Sequence, residues 1–82
     1  MELYFLSYDL RKERDYQSLY DELEKYHAKA VLESVWCFKK DNTTTAELRD
    51  HFGKFIDSDD GLLVVKSSSW ASLRAKATPK DL

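Results

Sequence analysis

Thirteen residues, Ala28 to Lys40, read AKAVLESVWCFKK. As a single β-strand they would reach about 43 Å, at about 3.3 Å per residue. The chain has 82 residues, and a single domain of that length has a radius of gyration of only about 12 Å. The stretch therefore has to turn back or kink. Glu33-Ser34 is its polar interruption, so the break belongs there, as a hairpin or a sharply bent strand. Two neighbouring strands in mid-chain already exclude an all-helical fold.

The flanking sequence supplies the other elements. MELYFLSYDL at the start of the chain reads as a strand over residues 2–9. Leu3 and Phe5 share one face with Ser7 and Asp9, while Tyr4, Leu6 and Tyr8 share the other. Both faces are apolar, which suits a central strand. RKER, Arg11 to Arg14, is a charged loop. Tyr16, Leu19, Tyr20, Leu23, Tyr26 and His27 then recur at helical spacing, with Asp15 as N-cap, giving a helix of about three turns. Thr44-Thr45-Ala46-Glu47 is a capping box. It opens a second helix striped by Leu48, Phe52, Phe55 and Ile56, with Gly53 inside it at a cost of up to about 1 kcal/mol. DSDDG is an acidic turn in which Gly61 supplies the special backbone angles, and LLVVK is a short apolar strand. The order is β-α-β-β-α-β. It predicts an α+β, ferredoxin-like fold: a four-stranded antiparallel sheet with two helices on one face. The other face is then bare, with Tyr4, Tyr8 and Trp36 as candidates to line it. Such a face usually finds a partner. Residues 1–66 make the domain, and residues 67–82, with little period, a C-terminal tail or a dimer-packing arm through Trp70.

A domain this small buries only about 60% of its unfolded surface. Its eleven aromatic residues and a dimer interface would both help. Cys37 is the only cysteine, so no internal disulfide exists. A lone thiol suits a reducing compartment. The N-terminal stretch lacks a basic region and a cleavage site, and no apolar run is long enough to cross a bilayer. The expectation is a cytoplasmic protein. Net charge is −2, which argues against broad, sequence-blind binding of nucleic acid but leaves room for a local basic patch.

Asp9 ends the first strand beside Tyr8. Its carboxylate either caps the turn that follows or holds a divalent metal. Arg11, Lys12 and Arg14 come next and could hold phosphate, although Glu13 and Asp15 dilute their charge. Ser7 and Ser34 could flank a metal or a phosphate, or simply satisfy strand neighbours. His27, at a helix end where a cation suits the dipole, and His51, beside the apolar stripe, read as structural. Asp57, Asp59 and Asp60 do not match the EF-hand spacing and read as a solvated turn. Cys37 reads as a small buried hydrophobe.

Tyr8-Asp9, the arginines at 11 and 14, Ser34-Val35-Trp36 and the acidic loop leading into LLVV fall in a familiar order. Over about residues 2–66 the chain resembles the CRISPR-associated small nuclease-like family, the non-integrase subunit of spacer-acquisition complexes. Its stand-alone SinR-like relatives are the nearest resemblance. The resemblance implies a homodimer in which two strand-end aspartates, here Asp9 and its copy, approach across the two-fold axis and hold Mg²⁺. It implies a metal-dependent nuclease acting on RNA or DNA, with Asp9 catalytic, Arg11, Lys12, Arg14 and Ser34 on the nucleic acid, and Tyr8, Trp36 and Trp70 at the dimer interface. Some such proteins are only structural subunits, and the similar VapD proteins are toxin-like ribonucleases. The alternatives are therefore a non-catalytic dimeric scaffold or a toxin-like ribonuclease, with an integrase-type or antitoxin-type protein as partner. The resemblance also implies a C-terminal strand lent to a partner, and the expectation for this short chain is that the strand is either missing or replaced by residues 67–82.

Overall fold

A computed structural model of the chain describes residues 1–11 and 16–82. Its elements run β1 (Glu2–Asp9), α1 (Gln17–Lys25), β2 (Lys29–Leu32), β3 (Val35–Lys40), α2 (Thr45–Phe52) and β4 (Gly61–Ser67), followed by a 3₁₀ turn at Pro79–Asp81. The sheet order is β2-β3-β1-β4 with every pair antiparallel. This is the ferredoxin-like α+β plan. The molecule's longest axis is 31 Å, too short for Ala28–Lys40 in one piece. The chain turns at Glu33-Ser34, as the length argument requires. Neither turn residue has positive φ, and a bulge between Ala30 and Leu32 supplies the local twist the turn does not.

β1 is central, paired with β3 on one side and β4 on the other. Opposite residues in antiparallel strands share a face. Tyr4, Leu6 and Tyr8 therefore sit with Phe38 and Trp36 on β3 and with Val64 and Leu62 on β4. That face carries the helices. Tyr4, Leu6 and Phe38 form one buried cluster with Leu19 and Leu23 of α1 and Leu48 and Phe52 of α2. The expectation that Tyr4, Tyr8 and Trp36 line the bare face is thus corrected. The alternation of β1 is the opposite one, because Tyr4 packs against the Phe38 ring at 5.9 Å and Trp36 stacks on Tyr20 of α1 at 5.8 Å. The open face carries Leu3, Phe5, Ser7 and Asp9 instead, with Leu63 and Val65 of β4 beside them.

Both helices end by identifiable rules. Thr44 caps α2, its hydroxyl accepting from the Glu47 N–H at 3.1 Å. The helix stops at Phe52, and Gly53 opens a 3₁₀ turn through Phe55, so the stripe expected to be one helix is a helix plus a tighter turn. Asp15, the expected cap of α1, lies outside the described residues. α1 closes in a Schellman motif: Ala28 N–H donates to Leu23 O at 3.1 Å, and His27 N–H to Glu24 O at 2.9 Å. His27 occupies the left-handed position with φ 56°. Its role is this turn, and the position favours glycine. His27→Gly should stabilise the fold by about 0.5–1 kcal/mol, read as a raised urea midpoint at unchanged slope. A lowered midpoint would refute the capping account. Across the helices, His51 Nε2 meets Glu22 Oε2 at 2.6 Å. That hydrogen bond holds the Glu22 carboxyl below its ordinary range against the opposing effect of burial.

Residues beyond β4 are not a loose tail. The Lys76 N–H donates to Val31 O at 2.8 Å, which brings the segment to the β2 edge. Thr78 and Asp81 form a reciprocal capping box around the last 3₁₀ turn, and Pro79 is buried. Cys37, on the open face by its pairing with Phe5, is fully buried. The Lys76–Val31 bond puts the returning segment at the β2 side of that face, while Leu63 and Val65 of β4 stay exposed. Trp70, just past β4, is half-buried.

Candidate metal and nucleic-acid site

The end of β1 is where the candidate residues converge. Asp9 is its last residue, opposite Gly61, so one carboxylate projects from the strand tip with 70% of its side chain exposed. Arg11 folds back onto it: Nε donates to Asp9 Oδ2 at 3.1 Å. The same guanidinium donates to the Asp59 carbonyl at 3.1 Å, and the Arg11 backbone N–H donates to Asp60 Oδ1 at 2.8 Å. Asp60 also accepts from the Asp57 N–H through its other oxygen at 2.8 Å. The acidic loop is therefore more than a solvated turn. It is a clasp that seats Arg11 against the strand tip.

Gly61 has a structural role different from the one expected. No glycine has positive φ, so its use is room. A Cβ there would come within 3.0 Å of an Arg11 guanidinium nitrogen and 3.6 Å of Asp9 Cβ. The glycine lets the arginine lie flat against the β1–β4 pair.

Ser34 and Tyr8 are brought to the same place. The Tyr8 N–H donates to Ser34 O at 3.1 Å, and the Tyr8 hydroxyl donates to Glu33 O at 3.0 Å, docking the hairpin turn on the strand tip. The hydroxyls of Tyr8 and Tyr20 share a 3.4 Å hydrogen bond. That bond, with burial and the nearby Tyr8 and Glu33 charges, pushes the Tyr20 phenol up to about 12. A cleft of about 270 Å³ results, walled by Tyr8, Asp9, Tyr16, Tyr20, Glu33 and Ser34. It is aromatic in its walls and rich in acceptors. Two carboxylates line it, so it suits a cation or a hydrogen-bond donor better than a phosphate.

Among the candidate residues, the structure groups Asp9, Arg11, Ser34 and Tyr8. It places Trp36 on the helix side, packing α1 to the sheet, and Trp70 away from this tip. Lys12 and Arg14 lie outside the described residues. Among the described residues no group of three or more metal-ligating side chains occurs, so within one chain Asp9 is a single carboxylate with an arginine on it. Mg²⁺ ordinarily takes one or two carboxylates, with water and phosphate completing its shell. Asp9 alone meets the minimum of that donor set, a second copy's carboxylate beside it would complete the pair, and either arrangement requires Arg11 to move aside. No helix among the described residues is long and apolar enough to cross a membrane.

Sequence reasoning missed a feature at the other end of the sheet. Lys39 and Lys40 end β3, and Lys25 and His27 end α1. With Tyr26 and Met1 they line a second cleft of about 310 Å³. The signal was the Lys39-Lys40 pair closing a strand, but its companions lie twelve or more positions away in the sequence.

One comparison bears on this architecture. The family model described as CRISPR associated protein Cas2 matches residues 1–74. The match runs through all four strands and into the returning C-terminal segment, and it makes this chain a member of the CRISPR-associated Cas2 family.

Proposed function

We propose that the chain works as a homodimer which cuts phosphodiester bonds of RNA or DNA with Mg²⁺ held between Asp9 of the two copies. The observation that carries this is the position of Asp9. It lies on the open face, two residues along from Ser7, which pairs with Leu63. Leu63 is 60% and Val65 41% exposed, an apolar strip that asks for cover. A second copy laid on that strip by two-fold symmetry carries its own Asp9 toward the first, since an isologous contact repeats each residue on both sides. When bound there, the metal would polarise a phosphoryl oxygen and supply a nucleophilic water. Arg11 would pass from Asp9 to a substrate phosphate, a bidentate partner of the same geometry.

One observation favours a second reading, the non-catalytic scaffold. The Arg11–Asp9 ion pair and the Asp60 clasp form a complete latch without a metal. In that reading Asp9 is structural. The experiment is cleavage of labelled single-stranded RNA and duplex DNA by wild type and Asp9→Ala, with Mg²⁺ or with EDTA. Cleavage that requires both the metal and Asp9 is the expected result, with the variant at least a hundredfold slower and equally folded. A folded wild-type dimer that cuts neither substrate across Mg²⁺, Mn²⁺ and a range of pH would establish the scaffold reading instead.

A further inference from the structure

The sheet has two edges, β2 and β4, and the chain's own end reaches one of them. Edge strands carry unpaired backbone groups that accept a further extended segment. Among the described residues one main-chain hydrogen bond ties the end to the sheet, Lys76 N–H to Val31 O at 2.8 Å. The strand register shows how the chain gets there. β4 finishes at Ser67, opposite Leu3. Val31 lies between Ala30, opposite Trp36, and Leu32, opposite Val35, and those two in turn face Leu6 and Ser7 of β1. The chain therefore travels three strand spacings, about 14 Å, and about 10–13 Å along the strands. Helices α1 and α2 pack on one face, so the direct route crosses the other, past Cys37, which is fully buried there. Within residues 68–82 only Pro79 is buried. Ala75, Ala77 and Thr78 are half-buried, while Lys76, Lys80 and residues 71–74 are exposed. Small side chains turn in and the lysine between them turns out, the alternation of an added strand. One bond and one buried proline make a light attachment, at the weak end of a fold's range of local stabilities.

We infer that the β2 edge and the open face beside it form a docking surface for an extended peptide segment of another protein, and that residues 73–82 are its occupant in cis. The chemistry of the partner segment follows from the resident one: a small residue, an unrestricted residue, a second small residue, threonine, then proline. Main-chain bonding at the edge gives affinity, and the inward side chains give specificity. A bulky inward residue collides with the sheet, whereas the outward position is free to vary. The resident segment is tethered, so it competes at a high effective concentration. The surface is closed until a partner segment is abundant or is itself held nearby. The inference stands whether or not Asp9 holds a metal.

The test inserts a protease site between Ser72 and Leu73, both exposed, where insertion is best tolerated. The chain is folded, cut, and separated from residues 73–82 at low concentration. The expected result is unchanged circular dichroism and a Cys37 thiol that reacts at least tenfold faster with a disulfide reagent. A fluorescein-labelled peptide of residues 73–82 should then bind saturably and return the thiol to its slow rate. The peptide carrying Pro79→Asp or Ala77→Trp should bind at least tenfold more weakly, and the one carrying Lys76→Gln within threefold. The uncut chain should take the labelled peptide at least tenfold more weakly than the cut one, because its own end is in the way. Pro79→Asp in the uncut chain should remove that difference. Collapse of the cut chain would make the segment part of the core and overturn the proposal, as would a segment that never leaves or a thiol no faster without it. Equal weakening by Lys76→Gln and Pro79→Asp would mean adhesion by charge, and equal binding to cut and uncut chains would mean a site elsewhere. Either result overturns it as well.

Discussion

Phe38→Ala should lower the unfolding free energy by about 3–5 kcal/mol. Phe38 is 1% exposed and its ring meets Tyr4 at 5.9 Å, Tyr26 at 5.3 Å and Phe52 at 5.8 Å. It joins the sheet to the ends of both helices, so its removal opens a cavity that no one element can collapse to fill. A chain of 82 residues has a total stability of roughly 4–12 kcal/mol. The variant should therefore melt about 12–40 °C lower, at about 4–8 °C per kcal/mol, or be unfolded outright. Leu63→Glu with Val65→Glu is the contrast. Both residues are exposed on the open face, so the pair should leave the melting of the isolated chain nearly unchanged. It should convert a dimer to a monomer in sedimentation. If the charged pair unfolds the chain and Phe38→Ala does not, the assignment of the two sheet faces is wrong.

The same contrast shows what the sequence could and could not reveal. The turn at Glu33-Ser34 follows from length alone, because no domain of this size holds thirteen extended residues. Thr44 and Glu47 signal a helix start through local hydrogen bonding, and the structure keeps that bond. The facing of β1 is different. Leu3 and Phe5 are as apolar as Tyr4 and Leu6, so alternation gives two equivalent answers, and only packing against α1 and α2 decides between them. The Arg11–Asp60 bond spans 49 positions, and no local pattern announces it. Read locally, Arg11 belongs to a basic loop for phosphate. In the fold it is shared between Asp9 and the acidic loop. Gly61 looked like a turn glycine because it follows DSDD, yet its φ is ordinary and its use is the space it leaves for a guanidinium. SSSWASLRAKATPKDL has no period because it forms one backbone bond to the β2 edge and a single capped turn, neither of which leaves a repeating trace.

That returning segment makes the second large prediction, in the chemistry of Cys37. The thiol sits on the face opposite the helices and is nevertheless fully buried. Burial pushes its pKa up, opposed by a backbone hydrogen bond at Lys29 and reinforced by the charge of Asp81. Only the thiolate attacks disulfide reagents, so Cys37 is slowed twice, by access and by ionisation. Its reaction with a dinitrobenzoate disulfide at pH 8 should be at least a hundredfold slower in the native protein than in urea. A hundredfold corresponds to a local opening free energy of about 2.7 kcal/mol. Pro79 is the buried contact of the segment, so Pro79→Asp should raise the native rate at least tenfold while circular dichroism shows the sheet and helices intact. A rate that falls as protein concentration rises would assign the cover to a second copy. A rate independent of concentration and sensitive to Pro79 assigns it to the chain's own end. Native Cys37 reacting as fast as the unfolded thiol would refute the cover altogether. The open face would then be bare from β2 to β4, and a far larger area would be open to a partner than the strip beside Asp9.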